Sequence, residues 1–440
     1  MTGSLSMIML DSTLLGVALP SIQRDLAFDD SARAWSVNGY LLAMASWVAL
    51  GGRIGDWMGR INAFRLGMLG FALASVACAL APSAWVFVTA RVMQGVCAAT
   101  MQPASSAIVI DIYPPTQRGR AMATYAGISL LFLAGGPLIG GALVQIASWH
   151  WCFWLNVPIA LGSIALTLTL DMKSVRSAKR VTDWISVVLL LAGTPLFVSG
   201  LQEVGIRGVD AGWAWIQLLV GAGSLALFAR RQSRLIQPTI DLRLFRDRGL
   251  LACAFLLFCF QFINVGQGIY GSLYLQSVLG FTPLEAGLGT LPLLVPALVV
   301  IHFAGRMYDR RGPRRPIMIG VCFVLAGTII ETCGIFAMSY PILAIGMAVL
   351  GTGCGFAMSP ANAESLARAP ASQRGEASGL VQMMRQFGAT IGIALFVLAM
   401  YGINRSAANE IGFGFALHAI IALVALGVAW RFVHSSTPTT

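Results

Sequence analysis

Apolar residues along this chain do not alternate with polar ones at the period of a half-buried strand. They run in windows of about 20 residues, the length at which a helix crosses the hydrocarbon core of a bilayer. The windows fall near 3–22, 35–52, 63–81, 85–110, 121–146 and 151–170, then 184–202 and 213–229, then 250–278, 285–305, 316–338, 341–363, 377–401 and 412–433. Lipid offers no water to a backbone N–H or C=O, so each window is expected to be a helix. The pattern predicts an all-α polytopic membrane protein with fourteen transmembrane helices.

Composition sharpens this. Hydrophobic residues make up 57% of the chain and charged residues 11%, where water-soluble domains carry about 25%. The net charge of +11 would raise the question of nucleic acid, but its placement answers it. With the termini and even-numbered loops on one side, 23 Lys or Arg gather there, against four (Arg24, Arg33, Arg207 and Arg405) on the other. This is the positive-inside asymmetry, and it predicts a multi-pass protein of the cell inner membrane with both termini cytoplasmic and no nucleic-acid partner. All eight cysteines lie in apolar windows without ligand spacing, so neither a disulfide framework nor a metal is expected. The first window begins almost at Met1 with no basic segment before it, and is expected to be a retained helix rather than a cleaved signal peptide.

Two loops resemble each other across the chain: Gly52-Arg53-Ile54-Gly55-Asp56-Trp57-Met58-Gly59-Arg60 and Gly305-Arg306-Met307-Tyr308-Asp309-Arg310-Arg311-Gly312. Each follows the second helix of a six-helix block, as a duplicated bundle requires. The expected units are an N-terminal bundle (1–170), two linker helices with charged loops (171–248) and a C-terminal bundle (249–440). Many of the 48 glycines lie inside the apolar windows, where small residues let helices approach closely.

The repeated Gly-x-x-x-Asp-x-x-Gly loops resemble the cytoplasmic motif of the major facilitator superfamily. The resemblance implies two six-helix bundles, transport by alternating access, and a loop that latches one conformation through Gly52, Asp56, Gly59 and Arg60 and through Gly305, Asp309 and Gly312. In the first copy Trp57 and Ile61 stand where the family usually carries basic residues, which weakens a charge relay there. Leu10-Asp11-Ser12-Thr13 in helix 1, Arg91-Val92-Met93-Gln94-Gly95 in helix 4, Trp149 to Pro158, and Gly136-Pro137-Leu138-Ile139-Gly140-Gly141 in helix 5 are similar to elements of the fourteen-helix drug:proton antiporters. Phe132 replaces a glycine usual in the helix 5 element, which physically reads as a Pro-induced bend. The subgroup implies export of amphipathic, drug-like organic compounds driven by the proton gradient, with no cofactor. It also implies a monomer, with an accessory periplasmic partner open.

Ionisable groups inside a membrane are costly and face a partner or a cavity. Asp11, Arg91 and Glu331 are the proton-coupling candidates. For Asp11 a structural ion pair is the competing reading, with Arg91 as its candidate partner. Glu331 is expected to line the pathway or to mark local hydration. Arg385, nearer a cytoplasmic end, is expected to snorkel. On helix 9, Gln261, Asn264, Gln267, Tyr270 and Tyr274 form a polar and aromatic set. The spacing 267, 270, 274 puts three of them on one face, suited to an amphipathic substrate or to interhelical hydrogen bonds. Asn38 of helix 2 is a weaker candidate. Trp149, Trp151, Trp213 and Trp215, near helix ends, read as interfacial anchors.

The four histidines are scattered and no nucleotide loop is present, so an enzyme is not expected. A lipid or secondary-metabolite exporter, and a non-coupled facilitator or transporter-like sensor, are the competing functions.

Overall fold

A computed structural model describes residues 1–28, 30–168, 183–207, 212–235, 238, 241–281, 283–400 and 407–433. In chain order the helices are α1 (Thr2–Asp25), α2 (Asp30–Met58), α3 (Arg60–Ala79), α4 (Ala84–Ile112), α5 (Arg118–Ile146), α6 (His150–Trp154) and α7 (Asn156–Leu168). There follow α8 (Trp184–Arg207), α9 (Gly212–Arg234), α10 (Arg248–Gly266), α11 (Ser272–Ser277), α12 (Pro283–Gly289) and α13 (Leu291–Arg311). The last four are α14 (Arg314–Phe336), α15 (Tyr340–Arg368), α16 (Arg374–Met400) and α17 (Ala407–Phe432). Every apolar window lies largely on helix. Among the described residues, ten helical stretches are long and apolar enough to cross a membrane. The linker 169–182 lies outside the described residues.

The helices are apolar on both faces, as a lipid solvent demands. On α3, Phe64, Met68 and Phe71 are buried, while Leu66, Leu69 and Leu73 on the opposite side are exposed. The inward face packs against α4 and α7, while the outward leucines stay largely exposed. Buried clusters link α1–α4, α6 and α7 in the first half and α10, α14–α17 in the second. The duplication is visible in detail. Pro103 within α4 and Pro360 within α15 sit at matching depths, and each helix is followed by a short 3-10 turn, Pro115–Gln117 and Ala371–Gln373.

Helices α8 and α9 pair with each other, and α8 packs on both α2 and α16. Val187, Leu190 and Phe228 of this hairpin share a cluster with Ala49, Leu50, Ala377 and Leu380. Its motif-side end is clasped by Arg231, whose Nε and Nη2 donate to Asp183 at 2.6 and 3.1 Å. These bonds, with one from Ser186, hold the Asp183 carboxyl at about 2. A depressed carboxyl contributes its stability fully above the unfolded value and loses it only as pH falls through the folded one. Mild acid therefore leaves the clasp closed.

Trp149 corrects an expectation. It is 2% exposed, donates from Nε1 to Asp25 at 2.6 Å and packs edge-on against Phe87 and Phe153. It plugs the end of the first bundle, with its indole N–H reaching out to the exposed carboxylate of Asp25. Trp151, Trp213 and Trp215 are exposed.

Candidate transport site and inter-bundle latches

Asp11 and Arg91 meet inside the first bundle. Arg91 Nη1 donates to Asp11 Oδ2 at 2.7 Å and to Gln94 Oε1 at 2.7 Å. Its Nε donates to the Ser36 carbonyl at 3.3 Å, and its guanidinium lies 4.4 Å from the centre of the Tyr40 ring. Asn156 Nδ2 donates to Asp11 Oδ1 and to Ser75 Oγ, both at 3.3 Å, and Gln94 Nε2 donates to Ser75 Oγ at 2.7 Å. The two charges are 2% and 1% exposed. Buried charges persist only when paired and hydrogen-bonded, and here both Asp11 oxygens and the Nε and Nη1 of Arg91 are bonded. Gln94 three residues after Arg91 is on the same helix face. Asn156, at the first residue of α7, carries no charge or periodicity to mark it, and only its place in the Trp149 to Pro158 stretch pointed to it.

The two loop aspartates act across the molecule. Asp56, near the end of α2, accepts from the backbone N–H groups of Gly375 at 3.0 Å and Glu376 at 2.7 Å. Asp309, near the end of α13, accepts from those of Gly119 at 2.7 Å and Arg120 at 3.1 Å. Each aspartate thus caps the first turn of a helix in the opposite bundle, α16 or α5, where unpaired N–H groups and the helix dipole favour negative charge. Arg60 Nε and Nη2 also donate to Asp56, at 2.9 and 2.8 Å. Arg60 further pairs with Asp111, which Arg374 reaches at 2.5 Å. The relay weakened by Trp57 and Ile61 runs instead through Arg60, Asp111 and Arg374.

The receiving side of each latch is itself a repeat that motif reading overlooked: Gln117-Arg118-Gly119 and Gln373-Arg374-Gly375. Gly375 abuts the Gly52 carbonyl, and Gly119 abuts that of Gly305. A β-carbon at any of these places would strike backbone. Gly59 and Gly312 terminate the donor loops with φ of 93° and 75°, a region that only glycine enters cheaply. Close by, the Ser106 and Ser378 hydroxyls bond across the bundles at 2.6 Å. In a variant lacking native cysteines, a Ser106→Cys/Ser378→Cys pair is expected to oxidise readily. Adding Gly375→Val should abolish that cross-link while leaving expression intact, and an undiminished cross-link would show that the glycine contact does not govern closure.

Gly136 lets α5 close on α1 at Thr13, two residues beyond Asp11, where a β-carbon would collide with the hydroxyl. Pro137, Gly140 and Gly141 continue the same helix.

Between the bundles lies a cavity of about 260 Å³, walled by α1 and α5 on one side and α10, α13, α15 and α16 on the other. Gln261 and Asn264 reach it, as expected, with Asn264 donating to the Phe260 carbonyl at 2.7 Å. Gln267, Tyr270 and Tyr274 do not. Residues 267–271 form a π turn, which inserts an extra residue and breaks the phase that would align them. Gln267 is buried, Tyr270 stacks on Phe396 with centroids 4.0 Å apart, and the buried Tyr274 hydroxyl donates to the Ile335 carbonyl at 3.1 Å. Of the two uses expected for this set, interhelical bonding is the one that Tyr274 makes. Asn38 is half-buried on α2, away from the cavity lining.

Glu331 does not line this cavity. It is wholly buried on α14 against Gly346 of α15, and among the described residues neither carboxyl oxygen has a hydrogen-bond partner. Arg385 also departs from expectation. Instead of snorkelling it turns into the cavity, with Nη1 donating to Gln382 Oε1 at 3.0 Å and Nη2 to Gln261 Oε1 at 3.4 Å. The two glutamine carbonyls offer it acceptors nearer than the headgroups. Among the described residues no group of metal-ligating side chains is present.

The sequence model of the Major Facilitator Superfamily matches residues 1–393 and again 255–440. The chain is 32% identical over 397 residues to the multidrug resistance protein Stp of Mycobacterium tuberculosis, covering 89% of this chain and 73% of that one. It is 32% identical over 407 residues to the tetracenomycin C resistance and export protein of Streptomyces glaucescens, covering 90% and 73%. The solved structure of the proton:xylose symporter XylE superposes with a TM-score of 0.68 at 15% identity, over 99% of this chain and 95% of that one.

Proposed function

We propose that this chain, which belongs to the major facilitator superfamily, exports amphipathic organic compounds in exchange for protons by alternating access. The observation that carries the reading is a cavity between two bundles that are joined at one end by reciprocal helix caps. Such caps hold one end shut while the opposite end opens, and their loss exchanges the two states. Both relatives are named for drug or antibiotic resistance, which supports an organic cargo. The tetracenomycin relative favours a second reading, export of one endogenous secondary metabolite. Both bundles and the cavity belong to one chain, which supports a monomer as the working unit.

Asp11 is the proposed proton carrier, partnered by Arg91. Leu5 and Met9 of α1 face the cavity, and Asp11 on the opposite face of the same helix meets Arg91. Cargo and proton thus act on two sides of one helix. With the latched end cytoplasmic, the ion pair describes a carrier that has released cargo outward and awaits a proton. A proton on Asp11 removes the counter-charge of Arg91 and loosens α1 from α4. Glu331 is a second proposed proton site, since among the described residues no cation pairs with it and neither of its oxygens is bonded.

Everted vesicles test the proposal. Accumulation of cargo from a panel of antibiotics and amphipathic dyes should require an imposed pH gradient and collapse with an uncoupler. Uptake indifferent to the gradient would identify a facilitator, and uptake of a single compound would favour the dedicated exporter.

Fourteen crossings, both termini cytoplasmic, are proposed for the inner-membrane topology. Each of the fourteen windows carries helix, and α9 is the decisive one. Single cysteines at Gly212 and Ser233, at either end of α9, should label from opposite sides of intact cells. Labelling of both from one side would remove α9 as a crossing.

A further inference from the structure

The cavity walls are apolar on one side and charged at a single point on the other. Toward α1 and α5 they present Leu5, Met9, Leu130 and Leu133. Toward α10 and α16 they present Gln261, Gln382 and Arg385, the last being the only charged side chain among the described lining residues. Its guanidinium has five N–H donors and accepts nothing. Its two terminal nitrogens bond neutral amide oxygens, and its Nε is shut from water without an acceptor. Among the described residues no carboxylate comes within ion-pair distance of it. Asp11, the acid of the first bundle, is on the far face of α1 and already bound to Arg91.

Arg385 is half-buried at the cavity wall, a cation without an anion whose hydrogen bonds amide dipoles satisfy without neutralising it. The planar guanidinium fork fits a carboxylate or sulfonate with two parallel bonds. An apolar or aromatic body attached to that anion would lie against the leucine and methionine wall. A cationic amphiphile would instead place like charge beside Arg385, with no lining carboxylate to offset it.

We propose that the cavity selects amphipathic compounds bearing a carboxylate, sulfonate or phenolate, docked on Arg385, over amphipathic cations. This rests on the reading of the cavity as the transport site, and names the class of cargo it takes.

A matched series on one scaffold tests it: 6-methoxy-2-naphthylacetate, its primary amide, and the corresponding naphthylethylammonium. Binding is measured by calorimetric titration of the full chain in nanodiscs, with empty nanodiscs as blank. The carboxylate should bind at least ten-fold more tightly than the ammonium. Arg385→Gln should erase that preference, leave the amide unchanged and keep the thermal unfolding midpoint, whereas Arg385→Lys should retain most of it. Equal binding of carboxylate and ammonium, or equal weakening of all three by Arg385→Gln, would overturn the proposal. Binding of none of the three would overturn it too. A charge preference without gradient-driven accumulation in vesicles would leave the selectivity standing and remove the exporter reading.

Discussion

Asp11→Asn is expected to abolish gradient-driven accumulation while leaving downhill exchange of cargo. Asparagine mimics the protonated carboxyl in shape and removes its charge, so α1 no longer alternates between a bound and a released Arg91. Arg91 keeps Gln94, the Ser36 carbonyl and a cation–π contact with the Tyr40 ring, which offset part of the lost counter-charge, so expression should fall less than when the carboxylate is stranded. Arg91→Leu should behave otherwise. It leaves a buried carboxylate without its counter-charge, at a cost of about 3–5 kcal/mol, and expression should fall sharply. Combining it with Asp11→Asn should restore expression, because the stranded charge is gone. Proton release from purified protein on adding cargo decides the role. Release by the Asp11→Asn variant equal to the unmodified protein would exclude Asp11 and direct attention to Glu331, whose Gln variant belongs in the same assay.

Asp56→Asn should shift the carrier toward the state open at the latched end. Hydrogen bonds to a charged acceptor contribute about 1.5–3 kcal/mol each, and Asp56 accepts two from the start of α16 as well as two from Arg60. Asparagine retains one acceptor oxygen and no charge. A loss of about 2 kcal/mol moves a two-state equilibrium by roughly 30-fold. The Ser106→Cys/Ser378→Cys cross-link should slow accordingly, and transport should suffer more than cargo binding, since Asp56 does not touch the cavity. Asp309→Asn should do the same from the other side, because it caps α5 in the same way. Equal loss of binding and transport in a folded Asp56→Asn variant would assign the residue another role.

Local chemistry made much of this legible in the sequence. Lipid leaves a backbone no choice but the helix, so apolar runs fixed where helices lie, and a duplicated loop revealed a duplicated bundle. Asp11 and Arg91 stood out because a charge in an apolar run demands a partner, and the family resemblance, which puts helices 1 and 4 in one half, offered Arg91 to Asp11. What Asp56 and Asp309 bind was hidden, because the donors they accept from are backbone N–H groups at helix starts 319 and 190 residues away. Backbone groups leave no mark on composition, and only the repeated Gln-Arg-Gly hinted at them. The face expected for Gln267, Tyr270 and Tyr274 is broken because one π turn resets the helical phase. Arg385 was misplaced for a related reason: periodicity says how deep a side chain starts, while its neighbours Gln261 and Gln382 on two helices decide which way a long guanidinium turns. The sequence determined which runs are apolar enough to be helices in lipid and which charged groups within them are too costly to be idle. Tertiary structure alone decided which of them meet, because those contacts join helices far apart along the chain.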